Sequence, residues 1–163
     1  MNPHFLWPLA AFLVLAGIAA ALGTRRRTGP DLKTPWPLEA KASVLTDPEQ
    51  ILFGRLRQAL PQHLIFPQVQ LQQAVRFKRG SWNAAIANRI SQLSIDFLIV
   101  KPDTSIVAAV ELDDSSHERK SRQAADARKV HALKCAGIPL LRFNVRQIPE
   151  VSAIAAAVTG LKP

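Results

Sequence analysis

The sequence predicts a mixed α/β (α+β) domain, a mixed central β-sheet flanked by helices, and three observations carry that reading. Ile95 to Val100 and Ile106 to Leu112 are apolar runs rich in β-branched residues. The turn-forming stretch Lys101-Pro102-Asp103-Thr104-Ser105 separates them, so they read as a β-hairpin. Behind the hairpin comes a segment of helical character stopped by Gly137, at the position of a helix C-cap, and then the apolar run Ile138 to Val145. Ahead of it stands Thr46-Asp47-Pro48-Glu49, a capping-box pattern with proline in the first turn, which opens a helix.

Taken in order, that first helix carries Ile51, Leu52, Leu56 and Ala59 at helical spacing and ends at Leu60-Pro61. His63 to Leu71 is short, β-prone and interrupted by Pro67, which suits an edge strand or a bent one. A basic loop, Arg76-Phe77-Lys78-Arg79-Gly80, follows, and then a helical or irregular stretch from Trp82 to Leu93 with Trp82, Ile86 and Ile90 on one face. After the hairpin, Ser115 and Glu118 form a second capping-box pattern, and Ala125, Val130, Leu133 and Ala136 give the helix a buried stripe. A small closing helix spans Pro149 to Leu161. The order α, β, α, β, β, α, β, α fits one layered domain from residue 45 to residue 163.

Two segments precede that domain. Phe5 to Gly23 has no charged residue and is closed by Arg25-Arg26-Arg27, just long enough to cross a bilayer as a helix. A cleavable signal peptide competes with the anchor, and Ala19-Ala20-Ala21 offers it a small-residue site. Signal peptides, however, carry their positive charge before the apolar run, and here it comes after. The expectation is therefore a single-pass membrane protein with its N-terminus outside and its domain in the cytoplasm. Residues 24 to 44, polar and holding Pro30, Pro35 and Pro37, read as a basic linker. The single cysteine, Cys135, excludes an internal disulfide. A formal charge of +9, all of it beyond residue 24, points to an anionic partner: nucleic acid or the adjacent leaflet.

Carboxylates interrupt the apolar strands at Asp96 and Glu111, where an ionised group without a partner is costly. If Lys101 and Thr104 are the paired ends of the turn, Asp96 lies across from Ala109. Period-two alternation then puts Asp96, Glu111 and Asp113 on one face. Inward-reaching carboxylates from Asp96 and Glu111 share one divalent ion in that arrangement, Mg²⁺ or Mn²⁺. A one-residue change in the turn sends Asp96 to the opposite face.

Asp96, then Glu111-x-Asp113 after an apolar strand, resembles the active-site layout of the PD-(D/E)XK, or restriction-endonuclease-like, superfamily. The longer run DFLIV…VELDDSSH…DARKVHALKCAGIPLLRF is similar to a bacterial domain family of uncharacterised function built round an ELDD-x-SH motif, itself similar to very-short-patch-repair endonucleases. The resemblance implies a restriction-endonuclease-like core and a metal-dependent nuclease. Asp96 and Glu111 become the metal ligands, and Glu49 matches the acid that many superfamily members place on the first helix, although it also completes the capping box. Asp113 stands where the superfamily has a lysine, and an aspartate cannot steady a phosphorane with positive charge. His117 is the acid or base that the motif offers in compensation. Lys129 and Asp126, three apart on the following helix, could face the sheet's acidic end, or form an ordinary solvated pair.

Arg76, Lys78 and Arg79, with Phe77 and Trp82 interleaved, and Arg119, Lys120 and Lys129 after the acids, are the residues expected to meet phosphates. Near a membrane the same charges bind lipid headgroups. Two functions fit these features: a membrane-anchored nuclease, or a nuclease fold that has lost hydrolysis and holds nucleic acid or a protein partner at the membrane. No zinc pattern or phosphate-cradling glycine loop competes.

Overall fold

A computed structural model of the chain describes residues 32–113 and 120–161. Residues 32–41 belong to a separate unit and carry no helix or strand; Leu32, Trp36 and Leu38 in it are exposed. The expected membrane segment, residues 5–23, lies outside the described residues, and no helix among those described is long and apolar enough to cross a membrane.

From Ala42 onward the chain folds as one unit. Its elements are α1 (Asp47–Ala59), β1 (Leu64–Gln70), α2 (Leu71–Ala74), α3 (Ala84–Ile90), β2 (Ser94–Val100), β3 (Ile106–Asp113), α4 (Lys120–Ala136), β4 (Leu140–Asn144) and α5 (Val151–Thr159). The four strands form one mixed sheet in the order β1-β2-β3-β4, antiparallel twice and then parallel, with α4 crossing between the parallel pair. The element order is the expected one with a single addition, the one-turn helix α2 ahead of the basic loop.

Apolar side chains cover both faces of the sheet. On one face Leu52 and Leu56 of α1 and Ile154 and Val158 of α5 pack on Phe97, Ile99, Ala108 and Val110. On the other, Leu71, Ile90 of α3 and Leu133 of α4 pack with Leu98, Val100 and Ala109. Each strand residue therefore has a set side, and a register error would expose a core residue and bury a polar one.

Several of the expected apolar stripes prove narrower. Ile51 is exposed, leaving Leu52 and Leu56 as the buried pair of α1. Of the Trp82, Ile86 and Ile90 set only Ile90 is buried, because α3 begins at Ala84 with Asn83 as its cap, its side chain accepting from the Ile86 N–H at 3.1 Å. Among the described side chains of α4 only Leu133 is fully buried, and Ala136 is exposed. Gly137, at φ 70°, ends that helix, and the Ile138 N–H returns to the Leu133 carbonyl at 3.0 Å in the pattern of a Schellman cap. Pro67 sits on edge strand β1, paired on one side only, where its missing N–H costs no ladder bond.

The hairpin departs from the expected register in an informative way. The turn is one residue longer, with Lys101 N–H bonded to Ser105 O at 2.9 Å, and taken alone that change would reverse the faces. A bulge between Ile99 and Val100 then adds a second one-residue offset, so that Ile99 pairs with Ala108 and Phe97 with Val110. The two offsets restore parity. Asp96 thus lies level with Glu111 rather than Ala109, and the acids keep their common face.

Thr104 closes the turn at φ 66°, a left-handed conformation that a β-branched residue adopts at a cost of roughly 1 kcal/mol. Glycine and asparagine suit that position in a three-residue hairpin loop. Thr104→Asn is expected to stabilise the fold by about 1 kcal/mol, read as a raised urea midpoint at unchanged slope. An equal or lower midpoint contradicts the assignment of strain to this residue.

Candidate functional site

The face of the sheet beneath α4 is divided along its length. Toward the hairpin turn it is apolar, with Leu98, Val100, Ala109 and Leu140 meeting Leu133. Toward the far end of β3 it is charged, and Asp96, Glu111, Asp113 and Arg142 line a cleft of about 370 Å³ with Asp126 and Lys129 of α4. Helical spacing accounts for the match, since Leu133, Lys129 and Asp126 succeed one another at four and three residues along one side of α4.

Glu111 is the one buried charged residue among those described, 4% exposed. Its Oε2 takes an ion pair from Lys129 Nζ, itself largely covered, and its Oε1 accepts a long bond of 3.4 Å from the Asp96 N–H. Asp96, half-buried, accepts the Leu112 N–H on Oδ2 at 2.9 Å. Each acid is thus fastened to the other's strand. Burial is the first reason that Glu111 is pushed up to about 7, and the Asp96 charge is the second; Lys129 pulls the other way. Burial also raises Asp96, opposed by the Leu112 N–H and Lys129 and assisted by Glu49 and Asp113. Both carboxylates resist ionisation even with Lys129 at hand, and a further positive charge between them would favour their ionised forms.

Asp113 and Asp126 share Arg142, whose NH1 lies 3.3 Å from Asp113 Oδ2 and whose NH2 pairs with Asp126 Oδ1. Glu49 serves two purposes. Its Oε2 accepts both the Thr46 N–H and hydroxyl at 2.7 Å, which completes the helix start, and its Oε1 accepts Gln68 Nε2 at 2.8 Å. The strand register puts Gln68 beside Asp96, so the first helix is linked to the edge of the acid pair.

Sequence reasoning missed Gln68 and Arg142. Arg142 announced itself by the same sign as the two acids, a charge inside an apolar strand. Gln68 had no such sign, since its place follows from the β1–β2 register and from a backbone at φ 50°. Lys129, expected at a nucleic-acid surface or, with Asp126, facing the acidic end of the sheet, lies over Glu111, and Asp126 lines the same cleft. Arg76, Lys78 and Arg79 line other cavities, beside Cys135 and Ala136 at the opposite end of α4, and share no lining residue with the acid cleft. His117 and Arg119 lie outside the described residues, as does the Lys120 side chain.

Among the described residues no group of three or more His, Cys, Asp or Glu is gathered to hold a metal ion. Asp96 and Glu111 are the carboxylates that could hold a cation here, and a site of one or two carboxylates is of the kind Mg²⁺ accepts.

A mixed sheet with an acid pair opposed across its central hairpin, roofed by a helix that brings a lysine to one of the acids, defines the class of domain. Its family follows from comparison with known proteins: residues 41–161 match the family described as "Protein of unknown function (DUF2726)", and the chain belongs to that family. No curated protein and no solved structure matches the chain.

The raised Glu111 carboxyl makes stability depend on pH in a defined direction. Between its ordinary value of 4.5 and about 7 the native protein keeps a proton that the unfolded chain has released, so stability falls as pH rises through that window and levels off above it. Urea unfolding of wild type and Glu111→Gln in chelator at pH 5 and pH 8 checks this. The variant is expected to lose less stability than wild type between the two pH values, and parallel losses contradict it. Lys129→Met is expected to cost about 3 kcal/mol at pH 8, where it leaves a buried carboxylate alone, with most of that recovered when Glu111→Gln is added.

Proposed function

We propose that this chain is a membrane-anchored, metal-dependent nuclease-like phosphodiesterase of restriction-endonuclease-like fold, with Asp96 and Glu111 holding Mg²⁺ or Mn²⁺. The observation that carries the reading is the opposed, partly desolvated carboxylate pair with a lysine at its side. The mixed sheet, with α4 as the crossover behind the acid-bearing strand, is compatible with that superfamily. The cation, when bound, supplies Lewis acidity toward a phosphoryl oxygen and lowers the pKa of a water.

The chain's own residues then divide the remaining tasks. Lys129 offers the positive charge that Asp113, at the superfamily's lysine position, cannot give to a developing phosphorane. Asp113, held by Arg142, shapes the rim of the cleft where water and phosphate enter. Gln68 and Glu49 steady the Asp96 side. His117, four residues beyond Asp113, is the proton carrier. Anchoring by residues 5–23 places the domain in the cytoplasm.

One observation favours a second reading. Glu111 already has a cation in Lys129, so a fold that holds its ligand without cutting it is self-consistent.

Hydrolysis of plasmid, single-stranded DNA and RNA with Mg²⁺ or Mn²⁺ separates the two. The expected outcome is metal-dependent cleavage that drops at least about a hundredfold in Asp96→Ala, Glu111→Ala and Lys129→Met, the loss typical of a removed transition-state contact. Binding without cleavage by the wild type establishes the second reading. Undiminished cleavage by the Asp96 and Glu111 variants overturns the site itself.

A further inference from the structure

From Gln50 to Ile95 the chain contains no aspartate or glutamate. Within that stretch Arg76, Lys78, Arg79 and Arg89 are all exposed, and none forms an ion pair among the described residues. The cations of the acid cleft behave oppositely, Lys129 and Arg142 being committed to carboxylates. Beside the four free cations two large apolar side chains stand out in solvent, Trp82 at 71% and Ile86 at 46% exposure. They line one cleft with Arg76 and Lys78, against the C-terminal end of α4.

We propose that the loop from Arg76 to Trp82 and the first turns of α3 form a docking surface for an anionic lipid bilayer, with the cations on headgroup phosphates and Trp82 and Ile86 in the interface. The charge complementarity is direct, since each Lys or Arg held near an anionic leaflet strengthens binding about fivefold. The apolar pair discriminates between anionic partners. An indole next to a cationic cluster is at home at the headgroup boundary, and an exposed isoleucine gains there but has no ring to stack on a base. The surface also lies apart from the cleft of Asp96 and Glu111, so a phosphodiester at those acids does not require it. The inference is independent of the nuclease reading.

The chain has three tryptophans, and Trp7→Phe with Trp36→Phe leaves Trp82 as the sole indole. Full-length protein of that background is reconstituted into, or added to, vesicles containing brominated lipid, either zwitterionic throughout or with phosphatidylserine at about a third of the lipid. Quenching of Trp82 is the readout. It reports contact of this loop alone, so anchoring of the N-terminal segment by itself does not produce it.

Strong quenching is expected in the anionic vesicles and little in the zwitterionic ones. Arg76→Glu/Lys78→Glu/Arg79→Glu should abolish it, and Lys78→Glu alone should weaken vesicle binding of the loop severalfold while circular dichroism stays unchanged. No quenching in anionic vesicles overturns the proposal, and so does quenching that survives the triple reversal. Shielding of Trp82 by an oligonucleotide in preference to phosphatidylserine vesicles also overturns it and assigns the surface to nucleic acid.

Discussion

The ion pair between Lys129 and Glu111 joins the helix α4 to the centre of the sheet, and the arrangement of the charged cleft follows from it. A carboxylate 4% exposed between apolar strands is untenable when ionised and alone. Lys129 supplies the opposing charge, and to do so it must lie on the face of α4 that also buries Leu133 one turn later. That requirement fixes the rotation of the helix. With the rotation fixed, Asp126 falls one turn before Lys129 and meets Arg142 on β4, so the parallel strand is drawn into the same network. Apolar packing holds one half of the α4–sheet contact and charge holds the other.

The acid pair depends equally on the hairpin. Side chains alternate with a period of two, so any odd offset between β2 and β3 would have put Asp96 among the α1 and α5 side chains. The turn makes one such offset and the bulge at Ile99 and Val100 makes another. Neither feature is tolerable without the other while Asp96 and Glu111 must face the same cleft. The strained Thr104 and the bulge are best understood as one device that sets register.

The amino-acid sequence disclosed the strands, the helix start at Thr46-Asp47-Pro48-Glu49 and the Gly137 stop because each rests on local chemistry: alternation, a capping carboxylate, a left-handed glycine. It also disclosed that Asp96 and Glu111 belong together, since both violate the apolar pattern of their strands. What it hid was long-range. The bulge has no residue signature in Val-Ala-Ala-Val. Gln68 approaches Asp96 only through the pairing of a different strand, and the narrow burial of α3 reflects how little of the sheet is left for it to cover. Lys129 and Asp126 were legible as a pair that could face the acidic end of the sheet, but helical spacing alone does not separate that from a solvated face, and what decides it is the surface α4 rests on.

The cleft and the rest of the molecule carry opposite charge, and that contrast bears on what the site can accept. Among the described residues its lining holds four carboxylates, Asp96, Glu111, Asp113 and Asp126, against two cations, Lys129 and Arg142, a formal −2 when all are ionised, in a chain of formal charge +9. A phosphodiester brought to such a cleft meets repulsion, so the acids are poorly suited to binding nucleic acid unaided. The divalent cation proposed for the acid pair would offset a charge of −2 and favour the ionised forms of Glu111 and Asp96. Among the four only Glu111 is buried, so the desolvation cost of the cleft falls first on it and is met by Lys129, while Asp113 and Asp126 at the rim are held by Arg142.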